Sequence, residues 1–191
     1  LLDRILRSFR AAGYKVTCHL VNAADYGVPQ NRYRVLFLGT RSDLPSKARL
    51  QLPSQTHANP RRASAMGLES WVTVGEVLRD VPDIAETVWF PNHVCSKYKV
   101  VYRNFTGHRM TDPNRPSPTV LARGNGKGGV CAIPHPYLPR RMSVRESALV
   151  QTFPLDFEFT GPLNSMYRQV GNAVPVTLAK RLGEALSAAW G

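Results

Sequence analysis

Gln30-Asn31-Arg32-Tyr33-Arg34 sets a carboxamide and two guanidinium groups at alternate positions, directly ahead of the apolar run Val35-Leu36-Phe37-Leu38. Alternate residues of a strand point the same way, so this spacing predicts Gln30, Arg32 and Arg34 on one face. Arg carries several donors in a fixed fork and keeps its charge, which suits a phosphate or a base carbonyl. The plainer alternative is an exposed sheet edge with solvated arginines.

A second stretch, Arg168-Gln169-Val170-Gly171-Asn172-Ala173-Val174-Pro175, reads as a tight Gly171-Asn172 turn that delivers Pro175 to the first position of a helix. Leu178, Leu182, Leu186 and Trp190 follow at every fourth residue and form one apolar stripe. Backbone N–H groups converging at a helix start suit a polar or anionic ligand group. The alternative is a turn that only ends one element and begins the next. A third stretch, Asn114-Arg115-Pro116-Ser117-Pro118-Thr119-Val120-Leu121, is stiffened by proline ahead of a short apolar strand. Arg123-Gly124-Asn125-Gly126-Lys127-Gly128-Gly129 comes next, either a basic loop able to approach a backbone closely or an ordinary glycine-rich hairpin. It is not a phosphate-binding P-loop, because Gly128 stands where Ser or Thr would follow Lys127.

These stretches need elements to position them. Leu2, Ile5, Leu6 and Phe9 fall at helical spacing, with Gly13 as a stop. Residues 15–21 alternate as a half-buried strand, and residues 33–39 read as a strand covered on both faces. Two strands cannot complete such an α/β sheet, so further strands are expected outside this sequence. Residues 42–62 form a proline-punctuated connector, and a short helix is expected over residues 71–78. Residues 87–129 read as short strands and loops. Ser143-Val144-Arg145-Glu146 is a capping box opening a helix to about Thr152, stopped before Phe153-Pro154.

The 191 residues carry 25 Lys plus Arg against 13 Asp plus Glu, a net charge of +12 spread along the chain. That balance favours a polyanionic partner, most simply nucleic acid. A hydrophobic content of 43% with 20% charged residues argues for a folded chain rather than a disordered one. No apolar run approaches the roughly 20 residues of a membrane helix, and the start is not a secretory signal. The absence of an initial Met predicts a piece of something longer. Cys18, Cys95 and Cys131 are widely spaced with no CxxC pair, which fits a reducing compartment better than a disulfide scaffold. His93, Cys95, Cys131 and His135 are ligand types without a familiar zinc spacing, so no metal is assigned.

In combination, Ala24-Asp25-Tyr26-Gly27-Val28-Pro29-Gln30-Asn31-Arg32-Tyr33-Arg34, Arg115-Pro116-Ser117-Pro118-Thr119 and the run from Arg168 to Pro175 resemble the eighth, ninth and tenth signature blocks of DNA (cytosine-5)-methyltransferases, in the family's order. Residues 143–154 resemble the segment between the last two blocks. The resemblance implies an α/β fold: the end of a Rossmann-like, S-adenosylmethionine-dependent methyltransferase sheet, a small, mostly β or irregular target recognition domain, and a C-terminal helix returning to the catalytic domain. The boundaries it implies are residues 1–44 (catalytic), 45–141 (target recognition) and 142–191 (helical return). In such enzymes a cytosine is flipped from the duplex, a cysteine thiolate adds to the ring, a glutamate assists at the ring nitrogen, and S-adenosylmethionine supplies the methyl group.

By the same resemblance, Arg34 would bond the cytosine carbonyl oxygen, Arg32 would hold a phosphate or the catalytic loop, and Gln30 would orient that cluster. Asn172 and Ala173 would touch the methionine part of the cofactor. Lys97, Lys99, Arg103, Arg109, Arg115, Arg123 and Lys127 would contact double-stranded DNA. No Pro-Cys-Gln, Glu-Asn-Val or Phe-x-Gly-x-Gly block occurs in this sequence. The three cysteines stand in the wrong contexts to replace the nucleophile. The expectation is therefore the C-terminal portion, or the recognition subunit, of a bacterial, cytoplasmic restriction-modification enzyme. It would be inactive alone and completed by an N-terminal half carrying the absent blocks. The rivals are a stand-alone basic DNA-binding module and a relative acting on RNA; the long variable region argues against the latter.

Overall fold

Helix α1 (Leu2–Ala11) forms where the apolar stripe predicts it and ends at Ala12, with Gly13 in the left-handed region. This is a computed structural model, and it describes residues 1–44, 50–84, 90–97, 110–122 and 132–190. Strands β1 (Tyr14–Asn22) and β2 (Tyr33–Arg41) pair antiparallel, in register from Tyr14 opposite Arg41 to Asn22 opposite Tyr33. A short 3-10 turn, Ala23–Tyr26, follows β1 and is closed by Gly27 at φ 83°. A side chain at Gly27 would also run into the His57 ring, with its Cβ 2.9 Å from Cε1.

The two faces of this pair are covered differently. Val21 joins Tyr26, Val28 and Leu178 in one buried cluster, with Leu36 and Leu182 packed against it. Helix α6 (Val176–Trp190) therefore lies over that face. On the other face, Phe9 of α1 meets Phe37 with ring centroids 5.9 Å apart. Helix α1 does not reach the cross-strand pair of Leu20 and Val35, which stay 70% and 53% exposed. This corrects the expectation that residues 33–39 are covered on both faces. One short helix per face is too little cover, and among the described residues β2 has no strand on its outer edge.

The next segment builds from turn chemistry rather than from long strands. β3 (His57–Ala58) and β4 (Glu69–Ser70) pair in parallel around α2 (Pro60–Met66), whose cap is the Asn59 carboxamide. Helix α3 (Val74–Leu78) starts at Thr73, where Thr73 and Glu76 form a reciprocal capping box. The helix expected from residue 71 is thus shortened, because the box fixes its first turn. Among the described residues of 45–141 the named strands are two residues each. Those residues are irregular with short helices, which is the irregular side of the expectation rather than the β side.

The return segment carries α4 (Val144–Val150), opened by the expected Ser143/Glu146 box, and α5 (Leu163–Asn172). Val74, Leu78, Val120, Met142, Val144, Ala148, Val150, Phe159, Tyr167 and Val170 form the main core. That core joins residues on both sides of position 141.

Gly171 and Asn172 are not a turn. They are the last two residues of α5, and the chain turns at Ala173 instead. Gly171 has no positive φ. It is needed because a Cβ there would collide with the backbone of Leu121 and Ala122. Pro175 accepts the first intrahelical bond of α6, from Ala179 at 2.9 Å, so it stands one position before the helix. Along the α6 stripe Leu178 is buried and Leu182 packs on the same cluster, but Leu186 is 46% exposed.

Candidate functional site

The three stretches picked out by residue type meet at one buried junction. Gln30 is fully buried; its Nε2 donates to Gln151 Oε1 at 2.9 Å, and its Oε1 accepts from the Val120 N–H at 2.9 Å. Arg32, 5% exposed, donates from Nη1 to the Val120 carbonyl at 2.9 Å. Its Nη2 donates to the carbonyls of Gly171 (3.0 Å) and Ala173 (3.3 Å). Gln151 closes the circuit, donating to the carbonyls of Val170 (2.7 Å) and Ala173 (3.3 Å). Backbone pairing adds to this: Ser117 N–H donates to Pro29 O and Asn31 N–H to Ser117 O, both at 2.9 Å.

The chemistry of the junction is that of a cation held by carbonyls. Arg32 meets no carboxylate among the described residues, and two of its carbonyl partners, Gly171 and Ala173, lie at the C-terminal, negative end of α5. Burial, and secondarily the like charge of Arg34, pull the Arg32 guanidinium down to about 10. It is still protonated at neutral pH. Each buried donor or acceptor here has a partner, as a group removed from water requires.

Arg34 stands apart. The expectation of Gln30, Arg32 and Arg34 on one strand face fails, because β2 begins only at Tyr33 and the residues before it are loop. Arg34 is exposed, and among the described residues its side chain donates only from Nη1 to the neighbouring Tyr33 carbonyl, at 2.7 Å. Its other nitrogens are open to a ligand. Asn172 is exposed and Ala173 half-buried beside the same junction.

The start of α6 is not an open anion site. The Val176 N–H donates to the Gln151 carbonyl at 3.0 Å, and the Thr177 N–H to Thr152 Oγ1 at 2.9 Å. Thr152 adopts φ 60°, a left-handed conformation uncommon outside glycine, to make that cap. The residue missed by reading the sequence is therefore Gln151, which serves both the junction and the helix start. Its signal was a carboxamide at the end of an otherwise apolar turn, Ala148-Leu149-Val150-Gln151.

Of the candidate DNA contacts, Lys97 and Arg115 are exposed, and Arg115 pairs with Asp112 at 3.3 Å. Lys99, Arg103, Arg109, Arg123 and Lys127 lie outside the described residues. So do Cys131 and the glycine-rich loop. Cys18 and Cys95 carry free thiols, and burial raises that of Cys95. His93 bonds through Nδ1 to Ser143 Oγ (3.0 Å) and through Nε2 to the Pro82 carbonyl (2.9 Å). His135 Nδ1 accepts from the N–H groups of Tyr137 and Leu138, both at 3.1 Å. These rings serve the protein's own hydrogen bonds. Among the described residues no helix is long and apolar enough to cross a membrane.

Residues 1–188 match the family model of C-5 cytosine-specific DNA methylases. The type II methyltransferase M.NgoFVII of Neisseria gonorrhoeae is 32% identical over 206 residues, covering 95% of this chain and 53% of that protein. M.BsuRI of Bacillus subtilis is 32% identical over 212 residues, covering 98% of this chain and 45% of its own length. The chain spans about half the length of the curated relatives it matches. Among solved structures, a DNA modification methyltransferase encoded within an E. coli prophage superposes with a TM-score of 0.64 at 19% identity, over 99% of this chain and 64% of that one. The Dnmt2 methyltransferase of S. pombe does so with a TM-score of 0.61 at 14% identity, over 100% and 61%. These two likenesses give the α/β methyltransferase fold. With the blocks in order and their side chains locked together, this chain belongs to the C-5 cytosine-specific DNA methylase family.

Proposed function

We propose that this chain supplies DNA recognition and part of the cytosine and cofactor walls of a site-specific DNA (cytosine-5)-methyltransferase. The observation that carries this reading is the buried junction itself. It fixes Arg34 at the mouth of β2 and Asn172 at the end of α5 relative to one another through Gln30, Arg32 and Gln151. Residues 1–44 would belong to the catalytic α/β unit, residues 45–141 to target recognition, and residues 142–191 to the helical return. The outer edge of β2 and the exposed Leu20/Val35 pair would take the remaining strands and helices of the sheet.

In this reading Arg34 donates to the carbonyl oxygen of a cytosine flipped out of the duplex and steadies charge as it develops there. Arg32 does not contact DNA; it locks the wall that carries Arg34. Asn172 and Ala173 would line the methionine end of S-adenosylmethionine, which supplies the electrophilic methyl group when bound. The exposed Asn172 carboxamide, without a hydrogen-bond partner among the described residues, fits that polar group. The thiolate and the acid that act on the ring would come from a partner surface bearing Pro-Cys-Gln and Glu-Asn-Val blocks. The expected setting is a bacterial restriction-modification system. Family membership disfavours the stand-alone DNA-binding module.

The test is reconstitution. The chain is mixed with a polypeptide carrying the absent blocks, and transfer of a labelled methyl group to duplex DNA is measured. Transfer by the mixture and by neither component alone is the expected result. Duplex binding without transfer, across a panel of such partners, would overturn it in favour of a pure binding module.

A further inference from the structure

Asn31 lies between Gln30 and Arg32, and it faces away from the junction they build. It borders a groove of about 360 Å3 formed with Asn59, Arg61, Trp71, Asn114 and Arg115. The polar lining offers donors. Asn31 Oδ1 is occupied by Asn22 and Asn59 Oδ1 by the Arg61 N–H, and among the described residues neither amide NH2 group has a partner. Among the described residues the exposed Arg61 has no ion pair, and the exposed Arg115 spends one side of its fork on Asp112. No carboxylate lines this groove. The carboxylate nearest its aromatic wall, Asp25, is engaged by Trp71 Nε1 at 2.8 Å.

The walls are fixed in advance. Trp71 N–H donates to Ala58 O, Val74 N–H to Arg115 O and Gly75 N–H to Pro113 O, each at 2.9 Å. Thr119 Oγ1 donates to the Asn31 carbonyl at 2.6 Å. A rigid groove with two guanidinium groups and amide donors, adjoined by one acid, the Asp112 that pairs with Arg115, takes a ligand that is anionic and rich in acceptors. A DNA backbone presents that chemistry, with phosphate oxygens for the arginines and sugar oxygens for the amides.

We infer that this groove grips a phosphodiester of the DNA strand next to the cytosine wall, with Arg61 and Arg115 on the phosphate. The inference rests on the DNA-recognition reading above. Because Asn31 shares its loop with Gln30 and Arg32, a phosphate seated here would register the duplex against that wall.

The experiment uses the full chain and a 20-base-pair duplex, with affinity measured by anisotropy across a salt series. Arg61→Gln/Arg115→Gln is compared with Arg4→Gln/Arg7→Gln, which removes the same charge from the outer face of α1. The groove variant is expected to weaken binding at low salt about tenfold or more and to lower the salt slope by about 1 to 2. The α1 variant should change neither by as much. A groove variant that matches the α1 variant, when the wild-type chain binds duplex, would overturn the groove alone. No binding by the wild-type chain would overturn the recognition reading and the groove with it. Both arginines are exposed, so folding of the variants is not at issue, and circular dichroism checks it directly.

Discussion

Gln30 Nε2 and Gln151 Oε1 lie 2.9 Å apart across 121 positions of sequence, both residues fully buried. That contact joins the β1–β2 pair to the helical return. It also joins two hydrophobic clusters that share no residue, one around Val21 and Leu178 and the other around Val144 and Val170. Apolar packing alone would let these clusters slide. A carboxamide pair with defined donors and acceptors sets one register between them.

Gln151→Leu keeps the volume and removes every polar group. It leaves the Gln30 amide without its acceptor, while the Val170 carbonyl keeps the longer bond from the Ala173 N–H at 3.3 Å. The expected loss of stability is about 1–3 kcal/mol, the usual cost of stranding one buried polar group, read from urea denaturation. Gln151→Glu should be worse at neutral pH than near pH 4, because a carboxylate would face the Val170 and Ala173 carbonyls. Equal midpoints for Gln151→Leu and the wild type would show that the bridge contributes nothing.

Arg32 and Arg34 separate stability from chemistry. Arg32→Met strands the carbonyls of Val120 and Gly171 and leaves that of Ala173 to Gln151 alone, and an expected cost of about 3 kcal/mol follows. Arg34→Ala removes an exposed side chain whose one bond is to its neighbour's carbonyl, so the melting temperature should stay within about 2 °C. In the reconstituted enzyme the order reverses: Arg34→Ala is expected to cut methyl transfer far more than duplex binding. Equal losses in the two assays would end the assigned role of Arg34.

The sequence made the participants legible but not their arrangement. Blocks at residues 24–34, 115–119 and 168–175 could be picked out because charge, proline and glycine are rare and local. The Ser143/Glu146 capping box of α4 is legible in its spacing alone. What periodicity could not give was where a strand starts: Gln30 and Arg32 lie in the loop before β2, so alternation put them on the wrong face. Gly171-Asn172 failed for a related reason. Glycine serves equally a left-handed turn and a close approach, and here the neighbouring backbone of Leu121 decides between them, a fact no local window contains. No role can be read for Gln151 from the resembling segment that contains it, because its three side-chain partners come from other segments.

Gly171→Ala tests that distinction. The backbone angle at this site accommodates alanine, and alanine is the better helix former by about 1 kcal/mol. The added Cβ must nevertheless displace the Leu121–Ala122 backbone. Overpacking of this kind costs about 1–3 kcal/mol, so the net expected effect is a lower melting temperature. The shift should carry over to Arg32, whose carbonyl partners lie on both moving segments. A raised melting temperature would return Gly171 to the role of a simple helix terminator.

Acid should weaken this fold through one buried pair, Glu146 and His135. Glu146 is fully buried and held by a bidentate fork from Arg140, at 2.8 and 2.7 Å. Burial alone would raise its carboxyl, but Arg140, the Ser143 N–H and His135 outweigh this and hold it below its ordinary 4.5. His135 sits 3.5 Å away, and burial, the largest influence, lowers its ring below 6.5. The ring's Nδ1 accepts two backbone N–H groups, so a proton there must break both bonds. For each group the unfolded chain binds protons more readily, so both shifts stabilise the folded state at neutral pH. The His135 contribution is present above 6.5 and is lost as the pH falls through its lowered folded value. The Glu146 contribution is present above 4.5 and is lost below it. Unfolding free energy measured from pH 8 to pH 3.5 should therefore fall in two steps, and His135→Gln should remove the first while leaving the second. A single step near 4 in the wild type would refute the histidine's part.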